Sequence, residues 1–242
     1  ESDVPVIRQS EHFDRYHAAI DSLTARGLTY ECFCSRREVR EEIADSPNAP
    51  HLPPGAYPGT CRELTAAQRQ AFIDDGRSAA LRLRAPDDGT MVEVDDVVTG
   101  RYSGGIDDAV LRRNDGVPSN NVAVVVDDAE QGVTQVVRGD DLLPSTPRQI
   151  HLQRLLGLPT PSYGHVPLVF GDDGERLAKR HGAVTVTGLA DIGIGPASVV
   201  EWIIETLGLA PTDRLADVVD AFDLAATPTA PVTLPSWSTP TT

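Results

Sequence analysis

The chain has 242 residues and an acidic balance, with 36 Asp and Glu against 21 Lys and Arg and a formal net charge of −15. This charge excludes a general nucleic-acid coat protein, because attraction to phosphate needs a positive face. The hydrophobic and charged fractions, 40% and 24%, are those of a globular protein with one large domain or two small ones. No apolar run approaches the roughly 20 residues that span a bilayer, and no export signal is visible, so a cytoplasmic monomer is expected.

Capping residues and hydrophobic periodicity predict the elements of the first half of the chain. Ser10 is predicted to cap a helix that ends before Gly27, and Ser35 and Thr65 each open a capping box. Residues 46–60 are rich in proline and glycine and are predicted to form a loop. In chain order, the predicted elements are a helix over 10–26, a strand over 28–34, helices opening at 35 and 65, a half-exposed strand over 80–84 and a strand over 91–98.

The second half is predicted to contain part of an open α/β sheet. The continuous apolar run over 122–126 is typical of a strand buried on both faces. Further strands are predicted over 133–137 and 165–170, with a helix between them that Thr146 caps, Pro147 begins and Gly157 ends. The succession of strand, strand, helix and strand favours the α/β class. Helices over 196–207 and 211–222 are predicted to follow. Residues from about 225 to 242 are rich in Pro and Thr and are predicted to form a tail that is wrapped on the surface or disordered.

The three cysteines of the chain fall in one segment, which favours metal binding over a disulfide framework. Cys32 and Cys34 are two residues apart and point to the same side of a predicted strand, so both sulfurs can reach one ion, with Cys61 as a third thiolate. The nearby candidates for a fourth ligand are His51 and Tyr57. The alternative is three reduced cysteines packed as small hydrophobic side chains.

Arg138 follows a predicted strand and precedes Gly139, which places its guanidinium at the edge of the sheet where open α/β proteins bind ligands. A guanidinium at that edge suits a carboxylate, which it can bind with two parallel hydrogen bonds. The alternative is a salt bridge to one of four nearby aspartates, Asp127, Asp128, Asp140 and Asp141.

Lys179 is the only lysine of the chain, and it lies between Arg176 and Arg180 after a predicted turn over 171–174. An ammonium group on a flexible stem is well suited to a phosphate that moves during a reaction. The alternative is an ordinary exposed lysine. Six arginines offer a local patch for RNA contact, or else lie on solvated edges: Arg77, Arg82, Arg84, Arg101, Arg112 and Arg113.

Taken together, these segments resemble the glutamyl-tRNA synthetase family. The blocks over 108–116, 122–128, 131–134, 137–143 and 145–150 resemble the second half of its catalytic domain, and residues 176–180 are similar to its KMSKS loop. The Cys-x-Cys and Tyr-x-x-x-Cys pair is similar to the zinc site of the short paralogue, glutamyl-queuosine tRNA(Asp) synthetase. The resemblance covers about residues 7–225.

The resemblance implies a ligase that activates glutamate with ATP, with Mg²⁺ as the expected companion ion, and transfers the glutamate to queuosine of tRNA(Asp). It implies that Lys179 is catalytic and that Arg176, Lys179 and Arg180 bind ATP. Arg138 matches the glutamate-binding arginine. The implied ligands of a structural Zn²⁺ are Cys32, Cys34, Tyr57 and Cys61.

The implied fold is an α/β, partial Rossmann-type class I synthetase catalytic domain with a zinc-containing insertion and a short C-terminal helical segment. Residues 1–28 would end the first half of the nucleotide-binding domain, and 29–105 would form the zinc-containing insertion and acceptor-binding region. Residues 106–185 would be the second half of the catalytic domain with the KMSKS-like loop. Residues 186–225 would be the helical segment, and 226–242 the tail.

Three departures from the family pattern carry expectations of their own. The N-terminal block with the HIGH-type motif is absent from this sequence, so it is expected upstream in the native protein, and the 242 residues alone are expected to be weak or inactive in adenylation. Asn120 stands where the family has a pocket tyrosine and is assigned to glutamate binding. Ala178 replaces the usual serine of the loop.

Two other functions compete with this interpretation. One is a catalytically inactive paralogue that binds RNA or a partner protein through the zinc segment and the arginine strand. The other is a fragment of an ordinary glutamyl-tRNA synthetase. The short stretch after Lys179, fewer than 65 residues, favours the paralogue without an anticodon-binding domain.

Overall fold

The computed structural model describes residues 6–45, 53, 55–86, 89–171, 174–177, 185–212 and 214–235. The chain divides into two compact units. The first comprises Glu1–Val94, Arg101–Gln135 and Pro144–Pro161, and the second comprises Asp95–Gly100, Val136–Leu143 and Ser162–Thr242. Each unit combines segments that are distant from one another in the sequence. The units therefore do not test the predicted division of the chain into five consecutive segments, which remains a prediction.

The first unit contains a three-stranded sheet in the order β1-β2-β5. The strands are β1 (Thr29–Cys32), β2 (Ala80–Leu83) and β5 (Val110–Arg112), and both pairings are antiparallel. The central strand was predicted to be half-exposed, which is wrong, because Leu81, Arg82 and Leu83 are all buried. The Tyr57 ring covers the face of the strand that carries Arg82, so both faces of β2 are buried and its alternation does not separate core from solvent.

Three helices of the first unit pack against one another: α1 (Phe13–Ala25), α4 (Asn120–Glu130) and α5 (Thr146–Leu156). The apolar spacing of α1 buries Tyr16, Ile20 and Leu23 on one face. The Tyr16 hydroxyl donates to both carboxylate oxygens of Asp127 in α4 at 2.8 Å, so the buried polar groups of this interface are paired.

Residues 122–126 form the middle of helix α4, and the predicted buried strand is wrong. Val122 and Val125, three residues apart, lie on one helical face and are 1% exposed. The run of valines favours a strand by intrinsic propensity, but packing against α1 and α5 decides the conformation. A short apolar run does not distinguish a buried strand from a buried helix.

The remaining helices of the first unit are α2 (Arg36–Asp45) and α3 (Ala66–Asp74). Both capping boxes are confirmed. The Ser35 hydroxyl accepts from the Glu38 backbone N–H at 3.2 Å while the Glu38 carboxylate accepts from the Ser35 N–H at 2.6 Å, and Thr65 and Gln68 form the same pattern. The predicted Ser10 cap is wrong, because α1 begins at Phe13 after a short 3-10 turn over Gln9–Glu11.

A four-stranded sheet has the order β4-β3-β7-β6. Its strands are β3 (Met91–Asp96), β4 (Gly100–Gly105), β6 (Gln135–Gly139) and β7 (Ser162–Val166). β3 and β7 are parallel, with Asp96 opposite Tyr163. Since α5 connects β6 to β7, this part of the chain has the α/β arrangement that the sequence predicts.

The predicted strand over 165–170 is two strands, β7 and β8 (Val169–Phe170). Pro167 lies between them, and a proline lacks the N–H that a strand pairing needs. The predicted helix over 146–157 is close to α5, although Ser145 rather than Thr146 is the N-cap residue. Gly157 ends this helix with a φ of 68°, the left-handed conformation that glycine adopts without strain.

The second unit continues with helices α6 (Val186–Asp191), α7 (Pro196–Thr206) and α8 (Leu215–Ala221) and strand β9 (Val232–Thr233). The helix predicted over 211–222 is shorter than expected. The predicted surface tail is wrong for its first part, because β9 pairs in parallel with β8 and Leu234 is buried. Among the described residues, no helix combines the length and the apolarity that a membrane crossing requires.

Candidate functional site

The first candidate site is a cluster of three thiols and one phenol in the first unit. β1 ends at Cys32, Cys34 follows it, and Tyr57 and Cys61 belong to the segment before α3. The three sulfur atoms lie within 4.8 Å of one another, and the Sγ atoms of Cys34 and Cys61 are 3.4 Å apart. The Tyr57 hydroxyl lies 3.4 Å from the Cys32 sulfur and 3.2 Å from the Cys34 sulfur.

The dimensions of this cluster fit a tetrahedral metal ion. Four ligands at the usual Zn–S distance of about 2.3 Å have sulfurs about 3.8 Å apart, which lies within the range that the three thiols span. The Tyr57 hydroxyl, beside two of the sulfurs, is the described candidate for a fourth ligand, whereas His51, the other candidate, lies outside the described residues. The described residues therefore contain a donor set that can hold a metal.

The surroundings of the cluster hold its donors in place. The guanidinium of Arg82 stacks on the Tyr57 ring at 3.7 Å, and the Tyr57 hydroxyl accepts a hydrogen bond from the Cys61 backbone N–H at 3.0 Å. Hydrogen bonding to Cys32 lowers the pKa of Cys61 to about 6, and the same contact together with burial raises the pKa of Cys32 to about 12. One thiolate is therefore favoured in the cluster at neutral pH.

Six arginines were predicted to offer a patch for RNA contact. Most of them form ion pairs with acidic side chains or hydrogen bonds to the backbone. Arg82 is buried and donates to the Asp108 carbonyl oxygen at 2.9 Å. The ion-paired arginines and their partners are Arg77 with Glu38, Arg84 with Glu63, Arg101 with Glu93, and Arg113 with Asp115. Arg112 is half-buried in β5. The described residues therefore support structural roles for most members of this set.

The second candidate site surrounds Arg138 in the second unit. Arg138 is the fourth residue of β6, at the carboxyl end of the strand as predicted. Its Nε donates to Nε2 of His165 in β7 at 3.1 Å, and its guanidinium lies 5.5 Å from the centre of the Tyr163 ring. These contacts hold a cation at the edge of the sheet where ligands bind in α/β proteins.

His165 and its partner Asp96 were not identified from the sequence. The Nδ1 atom of His165 is 2.5 Å from Oδ2 of Asp96, and both side chains are 0% exposed. A single histidine in an apolar strand, and an aspartate directly before a turn, were the available signals. Neither indicates that the two residues meet, because 69 positions separate them in the chain.

Arg176 and Leu177 are the described part of the KMSKS-like loop. A hairpin follows β8, in which the Gly171 N–H bonds the Glu175 carbonyl and the Leu177 N–H bonds the Val169 carbonyl, both at 2.9 Å. Arg176 lies on the returning arm and forms an ion pair of 2.6 Å with Asp141. Lys179 and Arg180 lie outside the described residues, as does Ala178.

Asn120 is the first residue of α4 and lines a cavity of about 530 Å³ in the first unit. Ser119, its neighbour, contributes a hydroxyl oxygen that is buried without a hydrogen-bond partner. Gln9 and Arg113 line the same cavity. The predicted glutamate-binding role of Asn120 remains a prediction.

Gly139 is required by the close packing that follows Arg138. A Cβ atom at this position would lie 2.7 Å from Oδ1 of Asp141 and 2.9 Å from Cδ2 of Leu168. We expect Gly139→Ala to lower stability by about 1–3 kcal/mol through overpacking, measured as a fall in the melting temperature. An unchanged melting temperature in Gly139→Ala would contradict the prediction.

Comparison with known proteins identifies the family. Residues 1–221 match the family model described as tRNA synthetases class I (E and Q), catalytic domain. Over 95% of the chain, 54% of residues are identical to the Glutamyl-Q tRNA(Asp) synthetase of Nocardia farcinica, and over 94% of the chain, 44% are identical to the protein of that name from Symbiobacterium thermophilum. The chain spans 71% and 72% of the lengths of these relatives.

The fold matches a solved glutamate tRNA ligase from Elizabethkingia meningosepticum, with a TM-score of 0.70 at 22% sequence identity. This match covers 98% of the chain and 53% of the solved protein, so the chain spans about half of that structure. The family model and the relatives agree with the predicted fold class. The chain therefore belongs to the class I tRNA synthetase family of the E and Q type, a family of ligases.

Proposed function

We propose that the protein activates glutamate with ATP and transfers the glutamyl group to queuosine of tRNA(Asp). The observation that carries this proposal is the guanidinium of Arg138, which stands at the carboxyl end of β6 with Nε bonded to the buried His165. The names of the relatives from Nocardia farcinica and Symbiobacterium thermophilum supply the substrate.

Arg138 is proposed to bind a carboxylate of glutamate. A guanidinium matches a carboxylate geometrically, and charge-assisted hydrogen bonds of this kind are about twice as strong as neutral ones. The contacts with His165 and Tyr163 restrict the side chain before a ligand arrives, which reduces the entropy lost on binding. In this proposal, Arg138 is held in position to bind a carboxylate of glutamate.

The first chemical step joins the carboxylate of glutamate to ATP. A carboxylate oxygen attacks the α-phosphorus, the bond from this phosphorus to the bridging oxygen breaks, and pyrophosphate leaves with the electron pair. Glutamyl-adenylate is the product. In the second step, a nucleophile on queuosine attacks the glutamyl carbonyl, and AMP leaves.

Arg176, Lys179 and Arg180 are proposed to stabilise the negative charge that develops on the ATP phosphates, with Mg²⁺. Arg176 is 58% exposed in its pair with Asp141, and an exposed pair of this kind contributes about 1 kcal/mol or less. The guanidinium can therefore exchange Asp141 for a phosphate at small cost.

Zn²⁺ is the proposed occupant of the cluster of Cys32, Cys34, Tyr57 and Cys61. Four protein donors leave no coordination position for water, so the ion would hold the segment together without taking part in the reaction. The domain division given above, with residues 29–105 as the zinc-containing insertion, belongs to the same proposal.

The role of Lys179 can be tested with an amine-directed nucleotide, because no other lysine competes for it. An ATP whose ribose is oxidised to a dialdehyde condenses with amines and loses water. We expect an adduct on the peptide that contains Lys179, suppressed by excess ATP with Mg²⁺ and absent from the Lys179→Arg variant. Labelling that ATP does not suppress would contradict the proposed ATP site.

The corresponding kinetic test uses glutamate-dependent exchange of pyrophosphate into ATP by the complete gene product. Lys179→Ala is expected to lower this exchange by roughly 10²–10³-fold, since one electrostatic contact to the transition state is lost. Arg214→Ala is the control, because Arg214 is 72% exposed and forms an ion pair of 3.7 Å with Asp217, three residues further along the chain. Equal activity of Lys179→Ala and the control would overturn the assignment.

A further inference from the structure

Three polar side chains of the second unit are joined by hydrogen bonds, and we call them the His165 line. They are Asp96 at the end of β3, His165 in β7 and Arg138 near the end of β6. Asp96 and His165 are 2.5 Å apart at Oδ2 and Nδ1, and His165 and Arg138 are 3.1 Å apart at Nε2 and Nε. The line is buried at its carboxylate end and reaches the ligand-binding edge of the sheet at its guanidinium end. Its geometry determines where each proton lies.

Asp96 is fixed as an ionised hydrogen-bond acceptor. Its Oδ1 accepts from the backbone N–H groups of Val98 at 3.0 Å, Thr99 at 2.9 Å and His165 at 3.0 Å. Burial alone raises the pKa of this carboxyl group, but these hydrogen bonds and the one from the His165 ring outweigh burial and lower the pKa to about 2. The carboxylate therefore accepts at any pH near neutrality.

The two partners of His165 require the same tautomer. A carboxylate can only accept, so Nδ1 carries the proton that bonds Asp96, and the Nε of arginine can only donate, so Nε2 is the acceptor. The ring is 0% exposed and stacks on Tyr163 with centroids 6.1 Å apart. The imidazole is therefore neutral, with both nitrogen atoms engaged.

We propose that His165 is a positioning residue, whose neutral imidazole, held by Asp96 in the Nδ1–H form, fixes the guanidinium plane of Arg138 for a carboxylate ligand. The inference rests on the proposed function and adds the residues that prepare its glutamate site. In the side-on mode of carboxylate binding, an arginine donates from its Nε. Because Nε of Arg138 already donates to His165, this mode would require the hydrogen bond to His165 to break.

Acid is expected to disable this arrangement. A proton on Nε2 would place an N–H opposite the N–H of Arg138, and a second positive charge beside the guanidinium. The groups that act on the ring electrostatically are Asp96 and Asp140, which favour the proton, and Arg138, which opposes it. Burial is the largest influence and lowers the pKa of His165 below its ordinary value, so the neutral form persists below about pH 6.5.

The first test observes the tautomer directly in the unmodified protein. Histidine labelled with the NMR-active nitrogen isotope distinguishes a protonated from an unprotonated ring nitrogen. We expect one histidine with Nδ1 protonated and Nε2 unprotonated, unchanged from about pH 8 to about pH 6, a range where an ordinary histidine titrates. An Nε2–H tautomer, or an imidazolium at neutral pH, would overturn the proposal without any activity measurement.

The second test separates positioning from a purely structural role. His165→Ala removes the acceptor of Arg138, whereas the side-chain oxygen of Gln in His165→Gln can still accept from Arg138 Nε. We expect His165→Ala to raise KM for glutamate at least tenfold, with KM for ATP within about twofold, and His165→Gln to recover most of this loss. His151→Gln is the control, since it makes the same chemical change at a partly buried histidine of helix α5, in the first unit.

Equal loss of glutamate affinity in His165→Ala and His165→Gln would overturn the proposal. So would a fall in melting temperature in both variants with an unchanged KM for glutamate, because that pattern describes a structural residue only. Failure of the proposed function looks different: the complete gene product without substitutions would then show no glutamate-dependent exchange. The NMR result would still report the state of His165 in that case.

Discussion

Replacing Cys61 by serine is expected to remove the metal from the cluster and to unfold the segment around it. A structural zinc site contributes folding free energy directly, on the order of 10 kcal/mol in small zinc-binding peptides, and a hydroxyl is a poor substitute for a thiolate. Metal analysis of freshly purified protein should find about one zinc per chain, and close to none in Cys61→Ser. The melting temperature and the far-ultraviolet circular dichroism should fall with the metal.

Two further variants make this test specific. Tyr57→Phe keeps the ring on which Arg82 stacks but removes the oxygen donor, so we expect weaker zinc binding with a smaller loss of stability. Val39→Ala is the matched control, because Val39 packs against the cluster without offering a ligand and should retain the metal. An absence of zinc from the unmodified protein would show that the three thiols pack as small hydrophobic groups instead, and full zinc occupancy in Cys61→Ser would remove Cys61 from the ligand set.

Replacing Arg138 by glutamine is expected to weaken glutamate binding by about 100-fold, measured as KM for glutamate in pyrophosphate exchange. The change removes a charge-assisted pair of hydrogen bonds, and each hydrogen bond to a charged group contributes about 1.5–3 kcal/mol. Arg138→Lys should be nearly as damaging, since an ammonium group keeps the charge but lacks the planar Nε donor that bonds His165.

The control for Arg138 is Arg214→Gln, which makes the same chemical change at an exposed arginine of the second unit. It should leave both KM values unchanged. An Arg138→Gln variant with unchanged affinity for glutamate would place the carboxylate site elsewhere. Binding of ATP alone, measured by calorimetry, should survive in Arg138→Gln if the protein remains folded.

The cluster of Cys32, Cys34 and Cys61 shows what residue type and spacing can predict. Three cysteines within 30 positions of one another indicated a shared ion, and the structure places their sulfurs within 4.8 Å. The capping boxes at Ser35 and Thr65 were predictable for the same reason, because all the interacting groups lie within four consecutive residues. Local chemistry of this kind is readable without knowledge of the fold.

Helix α4 and the His165 line show where such reasoning stops. The valine run over 122–126 forms a helix because α1 and α5 supply a packing surface, and neither partner is visible in the run itself. Asp96 meets His165 because β3 and β7 pair in parallel with Asp96 opposite Tyr163, a register set by the whole sheet. Contacts between distant segments depend on topology, which local patterns do not determine.

The central claim, that the protein joins glutamate to queuosine of tRNA(Asp), is tested most directly by glutamate transfer to purified tRNAs. The complete gene product would be incubated with ATP, Mg²⁺ and radiolabelled glutamate, and with tRNA(Asp) carrying queuosine, tRNA(Asp) lacking it, or tRNA(Glu). The account predicts label on queuosine-containing tRNA(Asp) alone, together with pyrophosphate exchange that needs glutamate but no tRNA. Label on tRNA(Glu), or no label on any tRNA, would contradict it.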